Sequence, residues 1–464
     1  MAIKNQLPNR LIMQTRLLIF FFSLMIGQTL SAQKNAALVS GPMLGYVEHR
    51  EVLLWLEVAP TVKKVAIRYH KINEPKNTQT IKYTGRLGQT YNPLKIVIGD
   101  LDMGTTYQYE VLLDKKAQKT PYPLQFSTKK LWEWRQSAPD FSFLMGSCAY
   151  INDSIYDRPG KPYGLSTDIL GNMAKQPSDF MLWLGDNLYL READYSSVSG
   201  IRYRNQHVRK QPYLQALFAS RPNYAIWDDH DFGPNDSNQT YELRDSSLQI
   251  FKDYWGNKSY GETDNKGTYG KFQWSDCEFF LLDDRYHRSP EGLPNTDMQK
   301  QYLGAEQLDW LKQSLLSSRA TFKFVASGSQ MLNALNTFEC FRNYEREWNS
   351  LMDFIVANKI SGVVFLTGDR HFTEVIAYQP AGGYPLYDIT SSPLTSSPYT
   401  KVAESKEGKN ENRVEGTIFA DQNYMKLSVI GDKKQRALKI QTFDANNVEQ
   451  WVKTFLAKDL VFDK

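Results

Sequence analysis

The sequence is poor in cysteine, with three among 464 residues: Cys148, Cys277 and Cys340. So few cysteines exclude a fold held together by many disulfides, and an odd number leaves at least one thiol unpaired. Cys277 and Cys340 either pair with each other or are simply buried. Cys148 directly follows an apolar segment and is a candidate metal ligand. Histidine is also scarce, with six residues, so two histidines within polar clusters are informative.

The chain has one long apolar run, and it lies at the N terminus. Three basic residues precede the apolar segment 17–26, and small residues follow it up to Ala32. This pattern predicts a cleaved signal peptide over residues 1–32, because the run is too short to cross a bilayer. An uncleaved amphipathic anchor is the alternative. We therefore expect a secreted or periplasmic protein without a transmembrane span after cleavage.

The sequence also lacks a strong excess of either charge. The formal net charge is +4, and it falls to +1 without the three basic residues of the leader. Short basic runs such as 202–204 are typical of a solvated surface. The sequence therefore predicts no nucleic-acid partner. It leaves the oligomeric state unknown.

Residues 36–127 are predicted to form a small all-β domain. Five strand-like segments are separated by turn residues, at 52–58, 65–69, 94–98, 107–113 and 124–127. The segment 101–109 resembles the tyrosine corner of fibronectin type III sandwiches. Residues 128–139 form a predicted linker, and we expect its Trp132 and Trp134 to pack between domains.

Residues 140–464 are predicted to form an α/β domain, because strands alternate with helices there. The predicted strands are 141–145, 180–184, 224–227, 279–282, 322–326 and 363–366, and the predicted helices are 213–219, 306–316 and 348–357. Three further segments alternate like antiparallel strands, at 424–429, 438–442 and 451–455. The polar segment 402–413 is predicted to be a mobile surface loop.

Residue types that bind metals or phosphate follow five of these strands directly. The five segments are Gly146-Ser147-Cys148, Gly185-Asp186-x-x-Tyr189, Asp228-Asp229-His230-Asp231, Asp283-Asp284-Arg285 and Gly368-Asp369-Arg370-His371. Because open α/β sheets collect ligands at the carboxyl ends of their strands, we expect these segments to meet in one site. The acidic cluster 228–231 needs a cation or base to neutralise it, unless it forms a solvated turn.

The ligand types indicate metal-assisted chemistry on phosphate esters. Two cations that share Asp186 would lower the pKa of a water and neutralise charge on phosphoryl oxygens. Hard oxygen ligands such as Asp186 and Tyr189 suit Fe(III) and divalent metals. His230 is a candidate to protonate the leaving oxygen or to stabilise the other phosphoryl oxygens. Arg285 and Arg370 are candidates to hold phosphate, with ordinary salt bridges as their alternative role.

Taken in order, these motifs resemble the alkaline phosphatase D (PhoD-like) family of metallophosphatases. The segment 303–311, Leu-Gly-Ala-Glu-Gln-x-x-Trp-Leu, supports the resemblance. It implies a four-layer αββα metallophosphoesterase sandwich, an α/β fold, over residues 140–464. A small all-β sandwich domain similar to fibronectin III precedes it. It also implies a site like that of purple acid phosphatases, with Fe(III) beside a second divalent metal, most often Ca(II).

The same resemblance implies a ligand set for each metal. Cys148, Asp186, Tyr189 and His371 would hold the iron; Asp186, Asp229 and Asp369 would hold the second metal, with Asn235 as an additional amide ligand. His230 takes the catalytic histidine position of the metallophosphoesterase motif. Asp229 stands where that motif generally has Asn, and its extra negative charge favours a hard cation. Asp284 replaces a small hydroxyl residue of the family, which leaves the role of Arg285 open.

The sequence therefore predicts a secreted, metal-dependent phosphoesterase. It would act as an alkaline phosphatase or phosphodiesterase that hydrolyses phosphate mono- or diesters by metal-activated hydroxide. A phospholipase-like or phytase-like specificity remains an alternative, because specificity depends on loops whose shape the sequence does not give. A surface binding or adhesion protein on an inactive phosphatase scaffold is the other alternative. The complete set of ligand residues favours the enzyme.

Overall fold

The structure is a computed structural model that describes residues 36–335 and 337–462. The predicted signal peptide lies outside the described residues. Within the described ranges, no helix combines the length and the apolar character needed to cross a membrane.

The first eight strands form two antiparallel sheets. They are β1 (Leu38–Val47), β2 (Val52–Val58), β3 (Val65–Lys71), β4 (Gln79–Lys82), β5 (Pro93–Ile98), β6 (Thr106–Leu113), β7 (Lys116–Ala117) and β8 (Gln125–Ser127). One sheet has the order β1-β2-β5, and the other has the order β4-β3-β6-β7 with β8 paired to β6. Leu54, Ile67 and Val111 are buried between them. The hydroxyl of Tyr107 accepts a hydrogen bond from the Asp102 N–H at 2.9 Å, as a tyrosine corner requires.

The next twelve strands form two six-stranded sheets. They are β9 (Phe141–Gly146), β10 (Phe180–Leu184), β11 (Asn223–Ile226), β12 (Gly270–Trp274), β13 (Cys277–Leu281), β14 (Phe322–Ala326), β15 (Val363–Thr367), β16 (Glu374–Tyr378), β17 (Leu386–Thr390), β18 (Asn423–Ile430), β19 (Ala437–Asp444) and β20 (Glu449–Leu456). The first sheet has the order β11-β10-β9-β18-β19-β20, and the second has the order β12-β13-β14-β15-β17-β16. Strands β9 to β11 run parallel in the first sheet, and β13, β14, β15 and β17 run parallel in the second.

The two sheets pack face to face through phenylalanine side chains. Phe143 of β9 stacks on Phe180 of β10, with ring centroids 4.9 Å apart. Across the interface, Phe143 makes edge contacts with Phe279 at 5.2 Å and with Phe324 at 5.6 Å. These rings are fully buried, so the contact forms the centre of the core.

Helices cover the outer faces of both sheets. They are α1 (Asp168–Lys175), α2 (Glu192–Tyr195), α3 (Val198–Arg209), α4 (Pro212–Ser220), α5 (Asp229–Phe232), α6 (Arg244–Tyr254), α7 (Ala305–Ser317) and α8 (Glu345–Ala357). Phe218 of α4 packs on Trp183 of β10, which points away from the second sheet. Trp348 of α8 packs on Tyr378 of β16. This arrangement is the predicted four-layer αββα sandwich.

The N-terminal domain contacts the α/β domain mainly through β1 and β2. Ser40 donates a hydrogen bond to the Arg209 carbonyl at 2.6 Å, and Trp55 donates one to the Asp253 carbonyl at 2.9 Å. The backbones of Gly45 and Gly256 approach closely, because a Cβ atom on Gly45 would lie 2.8 Å from the Gly256 carbonyl oxygen. The two domains therefore share a tight interface.

Two expectations need correction or completion. Trp134 is 100% exposed, so the prediction that it packs between domains is wrong for this residue. The reason is a turn in which the N–H of Arg135 bonds the carbonyl of Trp132, directing Trp134 outward. Cys277 and Cys340 are both buried and unpaired, which decides between the two alternatives left by the sequence.

Candidate metal centre

The strand ends of both sheets meet at one edge of the sandwich. Cys148 and Asp186 follow the neighbouring parallel strands β9 and β10. Asp229 begins α5 just after β11. Asp369 and His371 follow β15 of the second sheet. The edge that the sequence predicted as a site thus brings together residues that lie far apart in the chain.

Four of these residues have a left-handed backbone, although none is glycine. The φ angles are 60° at Cys148, 50° at Asp186, 70° at Asp369 and 58° at His371. Such conformations are uncommon for residues with a side chain and are concentrated at functional sites. Each one turns the chain sharply at the strand end, so that the side chain lies at the sheet edge.

The side chains form two metal-ligand groups that share one residue. Ligand atoms of Cys148, Asp186 and His371 all lie within 4.8 Å of one another, and so do those of Asp186, Asp229 and His230. Asp186 is the common member, which is the position that the sequence assigned to it between two metals. His230, predicted as a catalytic residue, belongs to the second group by distance.

The first group includes Tyr189 and a well-oriented histidine. The Tyr189 hydroxyl lies 3.3 Å from Nε2 of His371, and the Cys148 sulfur lies 3.7 Å from a carboxylate oxygen of Asp186. Nδ1 of His371 is 2.6 Å from the Ser397 carbonyl oxygen, to which it donates. That bond leaves Nε2 with its lone pair facing Tyr189, as a metal ligand requires.

The second group is held by backbone donors. The N–H of Asp236 donates to Oδ2 of Asp229 at 2.8 Å, and the N–H of His230 donates to Oδ1 of Asp186 at 3.3 Å. Nδ1 of His230 is buried and has no hydrogen-bond partner. Asn235 and Asp369 line the same cavity as this group. The unpartnered ring nitrogen points to a group that the protein itself does not supply.

Burial and mutual repulsion shift the pKa values of the acidic residues. Burial and the charge of Asp229 raise the pKa of Asp186 well above its usual range. Burial raises the pKa of Asp369 to about 7. Burial also acts on Asp229, but His230 and Arg285 outweigh it and lower the pKa of that carboxyl to about 2. Converging carboxylates of this kind are compensated by cations.

The thiol and the phenol of the first group respond in the same way. Burial raises the pKa of Cys148 to about 11, with a smaller contribution from Asp369. Burial and Asp186 raise the pKa of Tyr189 well above its usual value. A metal ion reverses this effect, because it binds and stabilises the deprotonated forms. The donor set therefore fits a hard, highly charged cation beside an oxygen-bound one.

Arg285 lies beneath the site and is fully buried. Its Nε donates to Asp228 at 2.6 Å, and one Nη donates to Glu339 at 2.7 Å. The same nitrogen lies 3.9 Å from Asp229. This position argues against the direct phosphate contact considered for Arg285 from the sequence. Its charge acts on the site through Asp228 and Asp229.

Arg370 lines the cavity next to Asp369. One Nη donates to Glu407 at 2.5 Å, whereas Nε and the other Nη have no partner. Glu407 is fully buried. It lies in the segment 402–413, so the prediction of a mobile surface loop there is wrong at Glu407. The loop instead anchors Arg370, because a buried guanidinium requires a counter-charge.

The comparisons with known proteins agree with this geometry. A family model described as PhoD-like phosphatase matches residues 143–438. This chain belongs to the PhoD-like phosphatase family. A second model, described as a domain of unknown function (DUF7800), matches residues 35–131 of this PhoD-like chain.

Similar individual proteins support the same fold. Alkaline phosphatase D of Bacillus subtilis (strain 168) is 23% identical over an alignment of 290 residues, which covers 53% of this chain and 48% of that protein. The match thus spans about half the length of the curated relative. A solved structure of PhoD has a TM-score of 0.72 at 16% identity and covers 91% of this chain and 90% of the other. Purple acid phosphatase PPD1 from yellow lupin (Lupinus luteus) seeds has a TM-score of 0.62 at 9% identity, covering 90% of this chain and 74% of the other.

Two residues of the PhoD-like site were missed from the sequence. Ser392 donates to the Cys148 sulfur at 3.1 Å and accepts from the His371 N–H at 2.9 Å. It follows β17, so the rule that polar residues at strand ends are functional would have found it. The Tyr163 hydroxyl lies 3.2 Å from Nδ1 of His371. It sits in an irregular segment without strand or helix periodicity, and no sequence pattern indicates it.

The site opens into a cavity of about 790 Å³. Its floor holds Asp186, Asp229, Asp369 and His371, and its wall includes the segments 288–291, 337–339 and 397–399. The cavity is large enough for a phosphate group together with the alcohol to which it is esterified.

Proposed function

We propose that this protein is a metal-dependent phosphoesterase that hydrolyses phosphate mono- or diesters with water as the nucleophile. The observation that carries the proposal is the pair of ligand groups that share Asp186 at the floor of one cavity. Membership of the PhoD-like phosphatase family and a fold similar to that of PhoD support it. The activity named in the matched relative, alkaline phosphatase, is of the same class.

The residues present fit two metals of different character. Cys148, Tyr189 and His371, together with Asp186, would hold Fe(III). Asp186, Asp229 and Asp369, with Asn235, offer an all-oxygen set that suits Ca(II). When bound, such metals supply a nucleophilic water at neutral pH and positive charge beside the phosphoryl oxygens.

The other residues bind the ester and handle the proton. Arg370 has two unpartnered nitrogens beside the floor, and they would donate to phosphoryl oxygens. His230 lines the cavity and keeps an unpartnered ring nitrogen. It would donate to the leaving oxygen or to a phosphoryl oxygen. Arg285 would hold the carboxylates of Asp228 and Asp229 in place from below.

The proposal includes export. The leader at residues 1–32, with its basic start and short apolar run, would direct the chain out of the cytoplasm. The mature protein would begin just before the N-terminal sandwich, over residues 36–127, and continue through the linker 128–139 into the catalytic domain. N-terminal sequencing of the exported protein would locate the cleavage near Ala32.

The first test is the metal content of the purified mature protein by elemental mass spectrometry, followed by assays on p-nitrophenyl phosphate and bis-p-nitrophenyl phosphate. We expect about one iron and about one calcium per chain, with turnover of at least one ester. Asp186→Asn should lower turnover by more than about 100-fold, because the effect of a shared ligand exceeds the 10–100-fold typical of outer-shell partners. Asp264→Asn, at an exposed position away from the cavity, is the matched control.

Each other outcome has a definite meaning. Two divalent metals without iron would retain the phosphoesterase but overturn the roles of Cys148 and Tyr189. A protein that binds no metal after reconstitution and hydrolyses no ester would overturn the proposal. It would favour a binding protein on an inactive phosphatase scaffold.

A further inference from the structure

The cavity contains an exposed aromatic ring next to the phosphate-binding arginine. Phe338 lines the cavity, and 46% of its surface is exposed. Burying such a ring is favourable, so an exposed ring inside a concave site is available to contact a bound ligand. The segment that carries it is fixed, because Phe341 N–H bonds the Gln330 carbonyl at 2.9 Å.

Phe338 and Tyr399 together form an aromatic wall. Their ring centroids are 5.9 Å apart and the rings are nearly perpendicular, at 85°. Pro290 and Pro398 also line the cavity. Such a wall matches flat, apolar groups better than ions or small polyols.

The aromatic wall is directly connected to the candidate metal centre. The Arg370 guanidinium lies 4.7 Å from the centre of the Phe338 ring. The N–H of Tyr399 donates to the carbonyl of His371 at 2.8 Å. Arg370 and His371 directly follow the candidate ligand Asp369 in the chain. A phosphate held at the floor would therefore place its esterified alcohol within reach of both rings.

The charges behind the wall are already compensated. Glu339 pairs with Arg285 and with Arg288, each at 2.7 Å. Glu291 pairs with Arg288 at 3.0 Å. Both glutamates therefore have an arginine partner, and the two rings themselves carry no charge. The wall is therefore suited to an uncharged ring.

We infer that Phe338 and Tyr399 form a leaving-group subsite, and that the preferred substrates are phosphate esters whose alcohol carries a flat ring, either an aryl group or a nucleoside. This inference rests on the proposed phosphoesterase function and specifies its substrate class. Phe338 is a specificity-determining residue and takes no part in the bond cleavage itself.

The test compares esters that differ only in the ring. Adenosine 5′-monophosphate and ribose 5-phosphate share the same scissile bond to a primary alcohol, and their methyl diesters provide the same pair for a diesterase. p-Nitrophenyl phosphate represents the aryl class. The measured quantity is kcat/KM for the nucleotide divided by kcat/KM for the sugar phosphate, in the metal-loaded full-length mature protein.

We expect the wild type to prefer the nucleotide by roughly tenfold, because stacking of a base on an aromatic side chain has about that effect. Phe338→Ala should reduce this ratio to near one while kcat/KM for ribose 5-phosphate changes less than about twofold. Phe338→Leu is the matched control, because leucine keeps an apolar cover over Arg370 but offers no stacking surface. In Phe338→Leu the ratio of the two kcat/KM values should therefore also fall to near one. Tyr399→Leu should have the same effect.

The other outcomes overturn the inference in distinguishable ways. If Phe338→Ala lowers kcat/KM equally for both substrates and Phe338→Leu restores it, the ring only shields Arg370. A nucleotide ratio near one in the wild type, with the activity on p-nitrophenyl phosphate unchanged in Phe338→Ala, would show that the rings contact no leaving group. If esters are hydrolysed but substitution of Phe338 or Tyr399 leaves the ratio unchanged, the subsite is overturned and the proposed function stands. If no ester is hydrolysed, the proposed function fails, and calorimetry of adenosine 5′-monophosphate and of ribose 5-phosphate binding to the wild-type protein and to Phe338→Ala decides the subsite.

Discussion

At the residue scale, a glycine directly precedes the aspartate at two strand ends, in Gly185-Asp186 and in Gly368-Asp369. The structure shows why a glycine is needed there. A Cβ atom on Gly185 would lie 2.7 Å from the Asp228 side chain, and one on Gly368 would lie 2.5 Å from the Ser147 hydroxyl. Only glycine permits the strand ends to approach so closely. The following aspartates then adopt the left-handed conformation that turns their carboxylates to the sheet edge. The positions of these two carboxylates at the sheet edge were predictable from sequence, because this geometry demands a glycine directly before the aspartate.

Arg285 could not be assigned in this way. The order Asp-Asp-Arg after β13 indicates a polar strand end, but it does not determine whether the arginine points into the cavity or beneath it. Its partners Asp228 and Glu339 lie 57 and 54 residues away, and only the folded chain brings them together.

The structure makes a clear prediction for Arg285. Arg285→Ala leaves the buried carboxylate of Asp228 without its partner, and breaking such a pair typically lowers the free energy of unfolding by about 3–5 kcal/mol. Urea denaturation followed by tryptophan fluorescence measures the change. Arg158→Ala, which removes an exposed arginine at the cavity mouth, should change stability by less than about 0.5 kcal/mol. Unchanged stability of Arg285→Ala with a raised KM would instead support direct phosphate binding.

At the scale of elements, strands were predicted better than the loops between them. All six parallel or mixed strands predicted between 141 and 366 are present within a few residues, because buried strands are continuous apolar runs. In the α/β domain, the sequence did not predict the edge strands β12 and β16, the strand β17, the five helices α1, α2, α3, α5 and α6, or the first turn of α8. Their apolar stripes are short or mixed with polar residues that bind other parts of the chain.

The prediction of a mobile surface loop over 402–413 was wrong at Glu407 for a physical reason. Its Lys, Glu and Asn content is typical of solvated loops. However, Glu407 is neutralised by Arg370 and also accepts from Asn333 at 3.1 Å, and Arg413 donates to Glu374 at 2.7 Å. Composition does not reveal charge pairs between segments that are distant in sequence. The loop is an ordered support for the arginine of the site.

Removal of the Glu407 charge should therefore affect substrate binding. In Glu407→Gln, Arg370 loses its charged partner and its preferred position, so we expect KM to rise about tenfold with a smaller change in kcat. The inhibition constant for inorganic phosphate should rise in parallel. Glu411→Gln, in the same segment but exposed, is the control and should behave as the wild type. A change in kcat alone would argue against an anchoring role for Glu407.

At the scale of the whole molecule, the interface between the domains is more polar than its strands suggested. Glu57 of β2 is fully buried against the α/β domain. One of its oxygens accepts from Gln206 at 2.8 Å and from Tyr254 at 3.2 Å, while the other has no partner. Arg209 lies nearby and is also fully buried. The sequence segment Leu-Trp-Leu-Glu-Val indicated a strand but not that its glutamate faces another domain.

We expect Glu57 to make the stability of the folded protein depend on pH. Burial raises the pKa of Glu57 above its usual value, so the folded protein binds this proton more tightly than the unfolded chain does. The stability that this proton confers is present at acidic pH and is lost as the pH rises through the pKa of the folded state. Glu57→Gln removes the titration. The free energy of unfolding of Glu57→Gln minus that of the wild type should thus increase when the pH is raised from about 4.5 to about 8.

Thermal or urea unfolding of both proteins at the two pH values measures this difference. We expect this difference to grow in favour of Glu57→Gln as the pH rises, because only the wild type loses a stabilising proton. Any fixed effect of the glutamine amide cancels, because it contributes equally at both pH values. Glu110→Gln, on the exposed face of β6, should leave the pH dependence unchanged apart from its weak surface pair with Arg68. A difference that stays constant with pH would mean that Glu57 is already compensated, by Arg209, and that the interface does not respond to acid.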